Sequence, residues 1–126
     1  MTGPADRFRA AVEAGDLDAA LAQFTDDVVF NSPVAHRPYY GRQALRAILA
    51  AVFTVFEQFR YTGSYPAGDG SDGHVLRFRA EVDGREMEGV DILAGGPDLL
   101  TELTVLVRPL SAATAVRDRM AALLSG

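Results

Sequence analysis

Residues 14–33 read A-G-D-L-D-A-A-L-A-Q-F-T-D-D-V-V-F-N-S-P, and the chain resumes at 41–45 with G-R-Q-A-L. Gly15 suits the end of a first helix, because glycine enters the left-handed conformation at little cost. Asp16 offers a carboxylate to cap a second helix. Leu17, Ala20, Leu21 and Phe24 share one face at helical spacing and predict a helix over 17–25. Asp26-Asp27 predicts a turn that opens a strand, which Pro33 stops; Val28, Phe30 and Ser32 fall on one face of it by period two. From Gly41 to about Phe56 a wide apolar stripe (44, 45, 48, 49, 52, 53 and 56) predicts a long helix.

Upstream, residues 4–14 predict a short helix with Pro4 in its first turn and Ala5, Phe8 and Val12 on one face. Downstream the pattern changes to period two. A strand near Phe59–Tyr61 leads into a glycine-rich loop over 62–73. The next strand alternates His74, Leu76, Phe78, Ala80 and Val82 with Val75, Arg77, Arg79 and Glu81, which predicts one apolar and one charged face. Asp83-Gly84 is a two-residue hairpin signal. Gly95-Gly96-Pro97-Asp98 turns the chain into L-L-T-E-L-T-V-L-V-R-P. Ser111 is placed to cap a last helix whose buried stripe would be Val116, Met120, Leu123 and Leu124. Helices first and a meander afterwards give an α+β fold.

A hairpin closed at Asp83-Gly84 sets the register: Val82 faces Arg85, Ala80 faces Met87, Phe78 faces Gly89, Leu76 faces Asp91 and His74 faces Leu93. Arg79 then faces Glu88 favourably, and Glu81 faces Glu86 unfavourably. Asp91 shares a face with Leu76, Phe78, Met87 and Leu93, with His74 diagonally across from it. Aspartate is a poor strand residue, and a buried carboxylate is paired or protonated. Two readings follow: a pocket acid or base with a raised pKa, or a structural carboxylate that is paired with His74 or an arginine or is turned outward by a bulge.

Composition narrows the chemistry. A chain of 126 residues makes one domain with a single core. No stretch has the length of a membrane span, and M-T-G-P-A-D-R-F lacks the apolar region of a signal peptide, so the expected location is cytoplasmic. Cysteine is absent, and the 12 basic residues are all arginine. That excludes thiol nucleophiles, disulfides, Schiff-base lysines and a P-loop lysine. A net charge of −5 argues against nucleic acid. His36 and His74 form no metal-ligand pattern, so no metal and no cofactor is expected. No G-x-S-x-G elbow is present. Carboxylate acid–base chemistry remains, assisted by a histidine, tyrosine or serine.

The element order over 14–45, with G-V-D-I-L at 89–93, resembles the SnoaL-like branch of the nuclear transport factor 2-like superfamily. The resemblance runs from about Phe8 to Leu110 and makes 1–126 a single SnoaL-like domain. It implies N-terminal helices packed on a strongly curved antiparallel sheet, forming a cone with an internal cavity. It does not select an activity, because isomerases, cyclases, epoxide hydrolases and binding proteins share that cone. In ketosteroid isomerases a protonated aspartate at the position matching Asp91 donates to the substrate oxyanion. In SnoaL-like polyketide cyclases the acid–base aspartate lies in an I-D-I-F context similar to V-D-I-L here. The isomerase base position falls on Ser32 and its first-helix tyrosine on Phe8, so the usual steroid isomerisation is not expected. Limonene epoxide hydrolases are similar around Asn31, Tyr40-Gly41-Arg42 and the long helix. Their catalytic tyrosine and last aspartate fall on Phe30 and Val105, which leaves epoxide hydrolysis a minor alternative.

The expected catalytic set is therefore Asp91 as acid or base, with Ser32, His74 and His36 orienting it or the ligand. In V-A-H-R-P-Y-Y-G, His36 is a candidate proton carrier and Tyr40 a candidate ligand-binding hydrogen-bond donor; their ordinary readings are a solvated loop histidine and a packing tyrosine. The expected cavity wall is Phe8, Val28, Phe30, Leu76, Phe78, Leu103, Val105 and Val107, with Phe53 and Phe56 read as core. The implied function is to enclose a small, mainly apolar molecule, with proton transfer next to a carbonyl and without a cofactor. The alternative is a non-catalytic binding or assembly module. The resemblance also implies a homodimer, with Val90, Ile92, Thr104 and Leu106 on the outer sheet face.

Overall fold

Pro4 stands where the first helix begins, since its missing N–H is one that a helix start leaves unused. Helix α1 (Pro4–Glu13) ends before Gly15, which takes φ +70°. Asp16 then accepts a 3.0 Å hydrogen bond from the Ala19 amide and caps α2 (Leu17–Leu21). The computed structural model describes residues 3–69 and 71–124; Met1, Thr2, Gly70, Ser125 and Gly126 of the expected 1–126 domain lie outside the described residues.

The helix predicted over 17–25 stops earlier. The Gln23 side-chain amide donates to the Ala19 carbonyl at 3.2 Å, and the Leu100 amide donates to the Gln23 carbonyl at 2.7 Å. The second bond draws the backbone into a sheet, so Phe24 opens strand β1 (Phe24–Asn31) instead of completing a helical face. Phe24 is buried all the same, edge-on to Phe8 at 5.4 Å between ring centres. Asp26 and Asp27 lie inside β1, where its register is interrupted between Phe24 and Val29, and both are exposed.

After β1 come β2 (Tyr39–Tyr40), α3 (Arg42–Val55), β3 (Glu57–Pro66), β4 (His74–Val82), β5 (Arg85–Gly95), β6 (Leu100–Arg108) and α4 (Leu110–Leu124). The sheet order is β2-β1-β6-β5-β4-β3. Every pairing is antiparallel except β1 with β6, which is parallel, so the expected antiparallel sheet is mixed. No hairpin connects β1 to β6, and turn geometry therefore places no constraint on their direction. Residues 62–66, read from sequence as loop, continue β3 and pair with β4.

The β4–β5 hairpin has the expected register throughout, from Val82↔Arg85 to Leu76↔Asp91 and His74↔Leu93. Its turn places Asp83 at φ 50° and Gly84 at φ 75°, the positive values that a tight two-residue hairpin needs. Gly89 is required for a different reason. A Cβ there would stand 2.5 Å from the Phe78 ring and 2.5 Å from the Leu106 carbonyl, so Phe78 can lie across the strand only over a glycine.

Helices α3 and α4 touch each other; α3 packs on β1 and α4 on β4, β5 and β6. Ser111 does not cap α4. The helix starts at Leu110, and the Pro109 carbonyl accepts the Ala112 and Ala113 amides. The buried residues of α4 are Ala112, Ala115 and Val116. Of the expected stripe, Met120 is partly buried, while Leu123 and Leu124 are 47% and 42% exposed. Small side chains let the first half of α4 sit close to the sheet, and its second half extends past the core. No helix among the described residues is long and apolar enough to cross a membrane.

Candidate active site

Between the sheet, α1, α3 and α4 lies a cavity of about 640 Å³, within the usual range for sites that take a drug-sized molecule. Of the expected wall, Phe8, Phe30, Phe78, Leu103 and Val105 line it. Val28 and Leu76 do not: both are buried in the core away from the lining. Val107 packs partly against the core and borders a groove on the other side of the sheet. Tyr40 is also displaced. In the β1–β2 ladder Tyr39 pairs with Phe30 and Tyr40 with Val29, and directly paired residues share a face. Tyr39 therefore lines the cavity, its ring 6.2 Å from Phe30, while Tyr40 is 70% exposed.

Phe53 and Phe56, read as core, line the cavity instead. Phe56, Phe59 and Phe78 form a near-parallel set. Their interplanar angles are 24° to 30°, and Phe59 and Phe78 are 5.0 Å apart. Stacked near-parallel, the three rings form an aromatic wall of the cavity. Leu49, Val52, Leu103 and Met120 are among the aliphatic side chains on the rest of the lining.

Asp91 is the buried charged residue of the core, 7% exposed, and it lines the cavity beside the aromatic wall. Its partner is Tyr61, whose hydroxyl donates to Oδ2 at 2.8 Å. The expected pairing with His74 is not formed. His74 sits at the start of β4, half-exposed, and its Nε2 is hydrogen-bonded to Ser64 Oγ. His36 lies exposed in the loop before β2. Neither histidine lines the cavity. Among the described residues no group of His, Cys, Asp or Glu is arranged to hold a metal ion.

Tyr61 is held from three sides. Its ring meets Phe59 edge-on at 5.0 Å, the Arg9 guanidinium lies 5.5 Å from its centre, and its hydroxyl is tied to Asp91. Burial raises its pKa well above the ordinary phenol range, and the neighbouring Asp91 raises it further, so Tyr61 stays a donor. Burial pushes the Asp91 carboxyl up to about 7, against a partial lowering by the Tyr61 bond. Tyr61→Phe is therefore expected to move the Asp91 titration upward, above about 7. A pH titration followed at the carboxyl carbon checks this, and a downward shift contradicts it.

Ser32 lines the cavity, and its Oγ accepts the Val34 amide at 3.1 Å and the Ala35 amide at 3.2 Å. A hydroxyl has two acceptor lone pairs and one donor, so the donor remains for a ligand. The sequence carries a signal for Tyr61, although it lies outside the expected catalytic set. Phe59 and Tyr61 alternate with the exposed Arg60, and Tyr61 pairs with Phe78, which places it on the face that carries Asp91.

A SnoaL-like domain model matches residues 5–124. Among solved structures, a steroid delta-isomerase from Pseudomonas aeruginosa is 33% identical; the match covers 97% of this chain and 89% of that one, with a TM-score of 0.89. An uncharacterised bacterial protein with a cystatin-like fold from Silicibacter pomeroyi is 30% identical, covering 94% of this chain and 83% of that one at a TM-score of 0.84. An epoxide hydrolase/cyclase-like enzyme of pyran ring formation in the polyether salinomycin shares the fold at 20% identity, covering 85% and 89% with a TM-score of 0.69.

Proposed function

The chain belongs to the SnoaL-like domain family, and on that premise we propose that it encloses a small, mainly apolar carbonyl compound and moves a proton at the carbon beside the carbonyl. The observation that carries this reading is the hydrogen-bonded Asp91–Tyr61 pair on the lining of a cavity otherwise dominated by apolar side chains. A general acid–base group works best when its pKa lies near the operating pH, and Asp91 at about 7 meets that condition. Tyr61 occupies Oδ2 and leaves Oδ1 for the ligand. The carboxylate takes the proton from the carbon, the electron pair of the C–H bond delocalises onto the carbonyl oxygen as an enolate, and neutral Asp91 returns the proton to the same or a conjugated carbon. The free Ser32 donor suits the enolate oxygen.

Asp91 is the sole carboxylate on the described lining, so one group must both remove and return the proton. No second carboxylate stands at Ser32 and no hydroxyl at Phe8. An unconjugated ketosteroid is therefore a poor substrate on this reading. The test uses a simple ketone, 2-tetralone, in deuterated water. Deuterium should enter the carbons beside the carbonyl faster with the protein than with buffer, measured by mass spectrometry. Binding of 2-tetralone without any acceleration would instead identify a binding module.

The homodimer belongs to the same proposal. On the outer sheet face Val90 pairs with Leu106 and Ile92 with Thr104, and Leu106 is 53% exposed. Arg77, Arg79 and Arg108 gather around Glu88 beside this apolar strip, while Glu102 lies on the same face toward its other end. A second copy turned by a two-fold axis would cover the strip and bring unlike charges together. Leu106→Glu is expected to give monomer by sedimentation at micromolar concentration, where the unmodified chain gives dimer. Wild-type monomer under those conditions contradicts the proposal.

A further inference from the structure

Two charged side chains line the cavity among the described residues: Asp91, and Arg117 of α4. Arg117 is at the rim, its side chain 60% exposed, and α4 carries Met120, Ala121 and Leu124 along the same lining. Its Nε donates to the adjacent Asp118 at 3.1 Å, and among the described residues its Nη groups carry no hydrogen bond. A guanidinium with free Nη donors is a recognition group for a planar or tetrahedral anion. The cavity lining thus combines a buried, neutralisable acid, a cation at the rim and a set of stacked aromatic rings.

We propose that Arg117 selects the ligand's class: a flat ring compound with an acidic group, carboxylate or sulfonate, directed at the rim while its carbonyl points to Asp91. This rests on the carbonyl reading of Asp91. It adds a second recognition contact, one that a neutral ring compound would leave unused. The chain's net charge of −5 sharpens the argument, because its overall field repels anions and a local cation is needed to admit one.

Two fluorescent probes share one ring system and differ by a sulfonate: 8-anilinonaphthalene-1-sulfonate and N-phenyl-1-naphthylamine. Arg117→Gln should weaken the sulfonate probe about three- to tenfold, the modest effect of a partly exposed charge contact. The neutral probe should change less than about twofold. Arg117→Lys should restore part of the sulfonate affinity because it keeps the charge. Equal weakening of both probes would mean that Arg117 only packs, and an unchanged sulfonate probe would mean that it does not touch the anion; either overturns the inference. Neither result bears on Asp91, whose role is read separately by deuterium exchange into 2-tetralone. Failure of the wild-type protein to bind either probe would overturn both the anion subsite and the cavity as a binding site.

Discussion

Asp91→Asn is expected to slow deuterium exchange into 2-tetralone by about 10²–10⁴-fold, a rise in the barrier of about 3–5 kcal/mol. The amide keeps the size of the side chain and can still accept the Tyr61 hydroxyl, so the cavity and its ligand binding should survive. What the amide cannot do is take up a proton at neutral pH. The loss should therefore fall on turnover and spare affinity, which assigns it to chemistry and not to binding. Exchange at the wild-type rate in the variant would remove Asp91 from the mechanism and leave the cavity as a binding site alone.

The second large effect is on stability, and its sign follows from the direction of the shift. The unfolded chain releases the Asp91 proton near 3.8, whereas the fold holds it up to about 7. Between those values the native state binds more protons than the unfolded one, so stability falls as pH rises. At 1.36 kcal/mol per unit the full change is about 4 kcal/mol, present below about pH 4 and lost above about pH 7. Glu88, held below its ordinary value chiefly by the Arg77 bond, acts in the opposite sense and at lower pH. Its stabilisation is present above its ordinary carboxylate range and lost as pH falls. The region from about pH 5 to 7 therefore reports Asp91.

In Asp91→Asn that slope should vanish. The buried amide N–H groups lack a partner and cost about 1–3 kcal/mol at every pH. Relative to wild type, the variant should be less stable near pH 4 and more stable near pH 8, with a crossover between. Urea unfolding at the two values measures it. A variant destabilised equally at both would show that Asp91 is not held protonated. Stability given up for an ionisable group in an apolar site is an expected feature of an active site.

The β4–β5 hairpin was readable residue by residue because three local signals agreed: Asp83-Gly84, the alternation over 74–82, and the charge pair Arg79↔Glu88. That register alone places Asp91 among Leu76, Phe78, Met87 and Leu93. Pairings between distant segments were less accessible. The parallel β1–β6 contact and the capture of Phe24 by the sheet depend on the Leu100–Gln23 bond, and nothing local to residues 17–25 announces it. Within the site, His74 looked like the partner of Asp91 because it lies one diagonal away on the same strand pair. The true partner comes from β3, whose irregular pairing, interrupted between Glu57 and Arg60 and between Tyr61 and Gly63, hides Tyr61 from a simple count. The wall residues were misplaced where the cone closes. Strand parity identifies the inner face, but it does not tell where along the strand that face borders the cavity and where it is packed solid, and Val28 and Leu76 fall in the packed part.

On this reading Asp91 is a carboxyl group poised near neutrality, raised by burial and held back by one tyrosine. The direct measurement is a carbon-13 NMR titration of the aspartate carboxyl carbons, with Asp91 assigned by comparison with Asp91→Asn. The predicted result is a single carboxyl titrating at about pH 7, absent from the variant. A titration of Asp91 near the ordinary value of 3.8 would contradict the claim, because burial would then not be holding the proton on the carboxyl.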